Sequence, residues 1–237
     1  MDLKQNIMAV KEKIAAAAVR AGRDPAQITL CAATKVQTDD TIRAAIEAGL
    51  EVCGENRVQE LCAHLEADAY AGAREVHFIG HLQTNKVNKV VGRVDLIQSV
   101  DSLRLLEAIE KQAEKLGIVQ DILLEVNIAG ELSKGGVAPE DVQDLAQAAV
   151  SMPHVRLRGL MAIPPVAHGP GANTQYFVKM RRLFVDTKDK IADNKNDMNC
   201  LSMGMSGDFE EAVAQGATLV RVGTALFGPR PPRPEQA

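Results

Sequence analysis

Ile28-Thr29-Leu30-Cys31-Ala32-Ala33-Thr34 is an apolar run that ends on Lys35, is followed by a helical stretch at residues 39–48, and gives way to a second short run, Glu51-Val52-Cys53-Gly54. Two short strands separated by a single helix must lie parallel, joined by a right-handed crossover. The unit repeats to the end of the chain. Val76–Ile79, Leu96–Val100, Ile122–Val126, Leu157–Ile163, Cys200–Met203 and Leu219–Val222 read as further strands. Helical stretches near 56–70, 83–91, 102–116, 139–151, 173–192 and 208–215 alternate with them, several opened by Asp, Ser or Thr as N-caps. The 237 residues fit the length of a (β/α)8 barrel, about 250 residues, with little left for insertions. The expected fold is therefore α/β, a single-domain (β/α)8 TIM-type barrel over residues 1–228 with an extra N-terminal helix at residues 3–21. An open doubly wound sheet is the alternative. Residues 229–237, with four prolines, read as a disordered tail.

Composition agrees with a soluble domain: 46% of residues are hydrophobic and 24% charged. With two Tyr, five Phe and no Trp, the core must be aliphatic, as in buried parallel sheets. The net charge of −4 supplies no positive field for nucleic acid or an anionic membrane, so neither is an expected partner. The Ile14–Val19 stretch is far shorter than a membrane span of about 20 residues and is flanked by Lys11, Lys13 and Arg20, without a cleavage pattern. Cys31, Cys53, Cys62 and Cys200 have no CxxC spacing. A reducing cytoplasm is the expected location.

In a barrel of this kind the chemistry sits where strands end, so the polar residues after each apolar run are the candidates. They are Lys35, Glu55 and Asn56, His81 and Gln83, Asp101, Asn127, Pro164 and Pro165, the run Ser202–Ser206, and Gly223-Thr224. A lysine closing a buried strand is partly desolvated, which lowers its pKa and suits it to form a Schiff base with a carbonyl. Position alone leaves open that Lys35 instead snorkels to solvent. The segments Ser202-Met203-Gly204-Met205-Ser206-Gly207-Asp208 and Arg221-Val222-Gly223-Thr224-Ala225-Leu226-Phe227-Gly228 follow the last two strands, where barrels often hold phosphate. A hydroxyl, helix N–H groups and a glycine would converge on one anion there. The bland reading is that the glycines only turn the chain and Ser206 only caps a helix.

Other patterns carry less. Gly204-Met205-Ser206-Gly207 matches a GxxG nucleic-acid loop, but two fixed positions in an acidic chain are a weak signal. His77 and His81 straddle a strand end rather than sharing a helix face, so a packed His77 is expected in place of a shared metal. Neither GxxxxGK[ST] nor a post-strand GxGxxG occurs. Ser133-Lys134-Gly135-Gly136 reads as a loop.

Six blocks in order carry a resemblance: Thr34-Lys35; Gly54-Glu55-Asn56-Arg57-Val58-Gln59-Glu60; His77-Phe78-Ile79-Gly80-His81-Leu82-Gln83; Arg158-Gly159-Leu160-Met161-Ala162-Ile163-Pro164; Leu201–Ser206; and Arg221–Gly228. Through them the chain resembles the pyridoxal phosphate homeostasis proteins, whose barrel is similar to the N-terminal domain of alanine racemases. The resemblance implies pyridoxal 5'-phosphate as cofactor, carried as a Schiff base on Lys35. It further implies that Ser206, Gly223 and Thr224 hold the phosphate, that Arg221 faces the pyridine nitrogen, and that Asn56 lies near the polar edge of the ring. A permanently charged arginine at that nitrogen disfavours its protonation and weakens the ring as an electron sink. Racemases also use a second domain and a tyrosine from across a subunit interface. The 237 residues leave no room for that domain, and Tyr70 and Tyr176 fall in helical stretches. Gln37 stands where many of these proteins carry a second lysine, and Lys134 matches a loop lysine that could receive or relay the cofactor.

The expected function is intracellular storage and delivery of pyridoxal phosphate by a monomer, with PLP-dependent apoenzymes as transient partners and little or no catalysis. The alternatives are a PLP-dependent racemase-like enzyme using Lys35 as base and, third, a cofactor-free Schiff-base aldolase.

Overall fold

A computed structural model describes residues 2–131, 134–166, 169–191 and 197–229. Eight strands close on themselves in sequence order: β1 (Thr29–Ala33), β2 (Val52–Glu55), β3 (Glu75–Phe78), β4 (Leu96–Val100), β5 (Gln120–Val126), β6 (Val155–Ala162), β7 (Cys200–Ser202) and β8 (Leu219–Val222). The closing seam decides between the two topologies. β1 pairs in parallel with β8, with Thr29 opposite Leu219 and Cys31 opposite Arg221, which an open sheet does not allow. The proline-rich segment expected to be a tail lies, beyond Pro229, outside the described residues.

The surrounding helices are α1 (Leu3–Arg20), α2 (Asp39–Glu47), α3 (Val58–Glu66), α4 (Leu103–Leu116), α5 (Val142–Ser151), α6 (Thr174–Lys190), α7 (Phe209–Ala214) and α8 (Thr224–Phe227). Local chemistry sets several ends. Thr38 caps α2 by accepting from the Thr41 N–H at 3.2 Å, and Asp2 caps α1 through Lys4 N–H at 3.0 Å. Gly117, in the left-handed conformation, ends α4. The extra helix α1 lays Ile7, Val10, Ile14, Ala17 and Ala18 against the barrel and ties its start to α8 by a 2.8 Å bond from Asn6 to the Leu226 carbonyl.

Two expected helices differ. The stretch 83–91 forms only a 3₁₀ segment, Thr84–Lys89, because its Thr and Asn side chains compete for backbone partners and its valines favour extended backbone. The 56–70 stretch is helical only as α3. It stops before Asp68, whose φ of +52° breaks the helix, so Tyr70 lies in the following turn.

Strand alternation divides the apolar side chains into an outer core against the helices and two small clusters inside the barrel. Cys31, Val52 and Leu219 form one inner cluster, and Leu96, Leu123 and Met161 the other. Backbones come close at Gly159, where a Cβ would sit 1.7 Å from the Cys200 carbonyl oxygen. Only glycine permits that contact between β6 and β7. No helix among the described residues is long and apolar enough to cross a membrane.

Candidate functional site at the C-terminal mouth of the barrel

The alternation that turns Cys31 inward continues to position 35, and Lys35 is half-buried in the turn that follows β1. The next residue, Val36, has a φ of +60°. A β-branched residue there is strained by an amount on the order of 1–3 kcal/mol. It is held by Glu60 at the start of α3, whose Oε2 accepts from the Val36 N–H at 3.0 Å. Just before the lysine, the buried Thr34 hydroxyl bonds Glu55 Oε1 at 2.6 Å. Glu55 faces away from the barrel interior, with His64 Nε2 4.0 Å from its Oε1, and His64 Nδ1 in turn reaches Asp39 Oδ1 at 2.5 Å. Burial pushes the Glu55 carboxyl above its usual range, against the lowering effects of Thr34 and His64.

Inside the barrel a chain of polar side chains runs upward from the opposite end. His77 is 1% exposed and bonds Glu75 through Nε2 at 2.8 Å and Gln98 through Nδ1 at 2.9 Å. Gln98 Oε1 accepts from Ser202 Oγ at 2.7 Å, and Ser202 Oγ accepts from Arg221. The packed role expected for His77 is the observed one. Arg221 also donates to the Ala162 carbonyl at 2.9 Å. It is buried, and no carboxylate pairs with it among the described residues; desolvation accordingly lowers its pKa. Among the described residues two of its five N–H donors are used, so the guanidinium retains donors for something else.

Ser206 is not a cap for α7. Its Oγ accepts from Gly223 N–H at 3.1 Å and Ala225 N–H at 3.3 Å, so the amides opening α8 converge on a hydroxyl from the preceding loop. Asp208 fixes that loop by accepting from Met205 N–H at 2.7 Å and from the buried Asn173 amide at 2.7 Å. Gly223 abuts Ala33, where an added Cβ would lie 3.4 Å from the Ala33 Cβ. Thr224 opens α8 and is exposed.

Asn56 follows β2, which pairs Gly54 with Ala33, so Asn56 stands level with Lys35 across the β1–β2 seam. Its buried Oδ1 has no hydrogen-bond partner among the described residues. Gly80 holds it from the other side; a Cβ there would lie 2.0 Å from the Asn56 carbonyl oxygen. Lys35, Asn56, Ser206, Arg221, Gly223 and Thr224 thus gather around one end of β1, β2 and β8. Lys134 lies on the β5–β6 side, bonded to Pro164 O at 3.3 Å and to Glu131 Oε1 at 3.0 Å. His81 is exposed, with Nδ1 3.6 Å from Asp101 Oδ2.

Sequence reasoning passed over Gln98 and Glu125 because they sit inside apolar runs. The signal was there: a polar residue at an inward position of a buried strand needs a partner. Glu125 is 8% exposed, and among the described residues its carboxylate makes no hydrogen bond or ion pair. Burial pushes its pKa up, Arg221 pulls it down, and Asp101 and His81 add smaller opposing effects.

The sequence matches the family described as alanine racemase, N-terminal domain, over residues 3–231. It is 44% identical over 231 residues to the pyridoxal phosphate homeostasis protein of Aquifex aeolicus, covering 97% of this chain and 99% of that one. Among solved structures, an unknown protein from Bifidobacterium adolescentis superimposes with a TM-score of 0.90 at 38% identity, covering 95% of this chain and 94% of that one. PipY of Synechococcus elongatus, solved with PLP bound, superimposes with a TM-score of 0.82 at 32% identity, covering 96% of this chain and all of that one.

Proposed function

The chain belongs to the family of pyridoxal phosphate homeostasis proteins, and on that premise we propose that it binds pyridoxal 5'-phosphate at the barrel mouth and acts in its storage and delivery. The observation that carries this reading is Arg221, a buried cation that no carboxylate among the described residues contacts and that keeps spare donors at the level of the inner strand ends. A neutral pyridine nitrogen would accept from it. The remaining groups fit the same molecule: the Gly223 and Ala225 amides with Ser206 for the phosphate, and the Asn56 amide at the ring edge. Lys35 would hold the aldehyde through a reversible Schiff base, and Thr224 would join the phosphate site.

When bound, the cofactor supplies an electrophilic carbon and a ring able to accept electrons. The protein's own residues limit the second property. Arg221 keeps its proton and leaves none for the ring nitrogen. A two-base racemase would also need an acid opposite Lys35. Tyr70 packs edge-on against His64, 6.0 Å between ring centroids, outside the barrel wall, and Tyr176 is on α6. Holding and releasing the cofactor for apoenzymes, with little or no turnover, is therefore the function these residues suit. All the residues involved come from one chain, so a monomer suffices.

The test is the visible spectrum of protein incubated with pyridoxal phosphate, then borohydride reduction and peptide mass spectrometry. A reducible absorption band and a phosphopyridoxyl group on Lys35, absent in Lys35→Ala, are expected. A colourless protein, or an adduct undiminished in Lys35→Ala, would overturn the assignment.

A further inference from the structure

Across the mouth from Lys35, a cavity of about 230 Å³ lies between the ends of β5 and β6, lined by Glu125, Val126, Asn127, Lys134, Gly135 and Ile163. Two carboxylates border it at one point. A Cβ added at Gly135 would be 3.6 Å from Asp101 Oδ2 and 3.9 Å from each oxygen of Glu125. The other polar groups on the wall are already engaged. The Asn127 amide is bonded to the Glu131 backbone, donating at 2.9 Å and accepting at 3.1 Å, and the Lys134 ammonium is held by Glu131 and Pro164. What the cavity leaves open is acceptor capacity. Glu125, more than nine-tenths buried, lines it without a hydrogen bond or ion pair among the described residues. The field of Arg221 reaches this carboxyl, but no hydrogen-bond donor among the described residues does, so its lone pairs stay open towards the cavity.

The geometry points to this cavity as a binding subsite for a small primary ammonium ion, with Glu125 as its counter-ion and Asp101 as the second carboxylate. Volume and chemistry agree on the class of ligand: a short amine whose apolar end rests on Val126 and Ile163. Simple alkylamines meet this description.

A use for the subsite follows if Lys35 holds the cofactor as proposed above, and this step rests on that reading. An amine placed beside the imine carbon can displace Lys35. With both imines protonated, a C=N bond forms to the incoming nitrogen as the C=N bond to Lys35 Nζ breaks; the ammonium gives up two protons, one passing through Glu125 and one moving directly between the two nitrogens, and Lys35 leaves as its own ammonium. No oxidant or reductant is involved. The charged and titratable groups facing Glu125 are Arg221, Asp101 and His81.

The test has two arms, both on the full chain. In the first, cofactor-free protein is titrated with ethylammonium chloride by calorimetry or NMR, with ethanol as the neutral control. Saturable one-site binding of the ammonium is expected, weakened about tenfold or more in Glu125→Gln and also reduced in Asp101→Asn. Absence of binding, or equal binding in both folded variants, overturns the subsite. In the second arm, protein loaded with pyridoxal phosphate is mixed with ethylamine and reduced. Transfer of the phosphopyridoxyl group from Lys35 to ethylamine, with a half-saturating amine concentration raised about tenfold in Glu125→Gln, is expected. Exchange that is indifferent to Glu125 overturns the proposal while leaving the Lys35 assignment standing. Failure to load Lys35 at all removes the functional reading, and the first arm alone then decides the subsite.

Discussion

Thr34 donates a 2.6 Å hydrogen bond to Glu55 Oε1, and both side chains are fully buried directly before the Lys35 turn. The second oxygen, Glu55 Oε2, has no hydrogen-bond partner among the described residues. Burial therefore raises this carboxyl above its usual value of 4.5. An acid with a raised folded pKa costs no stability while it stays protonated in both states. It destabilises the fold progressively as pH rises above the unfolded value and through the folded one. Glu55→Gln keeps the acceptor for Thr34 and cannot ionise. Its melting temperature relative to wild type should rise as the pH is raised above the usual carboxyl value of 4.5, checked by thermal unfolding at acid and neutral pH. A difference that does not change with pH would mean that Glu55 titrates normally.

Arg221 is a second buried ionisable group with no salt bridge among the described residues, and its role separates stability from binding. Arg221→Met removes a desolvated charge but leaves Ser202 Oγ and the Ala162 carbonyl without a donor. These effects oppose one another, so the cofactor-free variant should lie within about 2 kcal/mol of wild type in urea unfolding. Its affinity for pyridoxal phosphate should nevertheless fall about tenfold to a hundredfold, and the absorption band should move. A variant that binds normally would detach Arg221 from the ring.

Ser206 and Gly223 make the phosphate assignment testable without any chemistry at Lys35. Ser206→Ala leaves the Gly223 and Ala225 amides without their acceptor and should cost about 1 kcal/mol in cofactor-free protein. Saturating inorganic phosphate should close part of that gap, because its oxygens accept from the same amides. Gly223→Ala should fold, since its Cβ meets Ala33 at ordinary contact distance, yet lose phosphate protection in a thermal shift assay. Equal protection of both variants and wild type would place the anion elsewhere.

The cysteines should divide by reactivity. Burial holds the Cys31 thiol far above its usual range and pushes Cys53 up to about 12; Cys200 and Cys62 are both half-buried residues, but desolvation still pushes the Cys200 thiol up to about 12, while Cys62 accepts a 3.4 Å contact from Arg93. A thiol reagent at neutral pH should label Cys62 first in native protein, and the other three only on unfolding, as read by peptide mass spectrometry. Rapid labelling of Cys31 would contradict the packed barrel interior.

Much of this was legible from residue order. The Leu96–Val100 and Leu219–Val222 runs coincide with β4 and β8 to the residue, since a strand of a buried parallel sheet is bounded by apolar, largely β-branched residues even where Gln98, Ser99 or Arg221 interrupts it. The 83–91 stretch failed because its helical spacing carried residues whose local preferences oppose a helix. Glu125 and Gln98 were hidden for a different reason: a mostly apolar run with one or two polar members looks like a strand whichever way those members face.

The sequence by itself determined the βα repeat, the eight strands and the lysine, serine, arginine and glycines standing at their ends. It could do so because hydrophobic periodicity and turn chemistry are local properties. Barrel closure, the burial of Arg221 with no carboxylate among the described residues in contact with it, the turning of Ser206 away from its own helix towards the Gly223 and Ala225 amides, and the inward placement of Glu125 were decided only by the tertiary structure. Each depends on which side chains from distant strands meet across the barrel, and on how much water their meeting excludes.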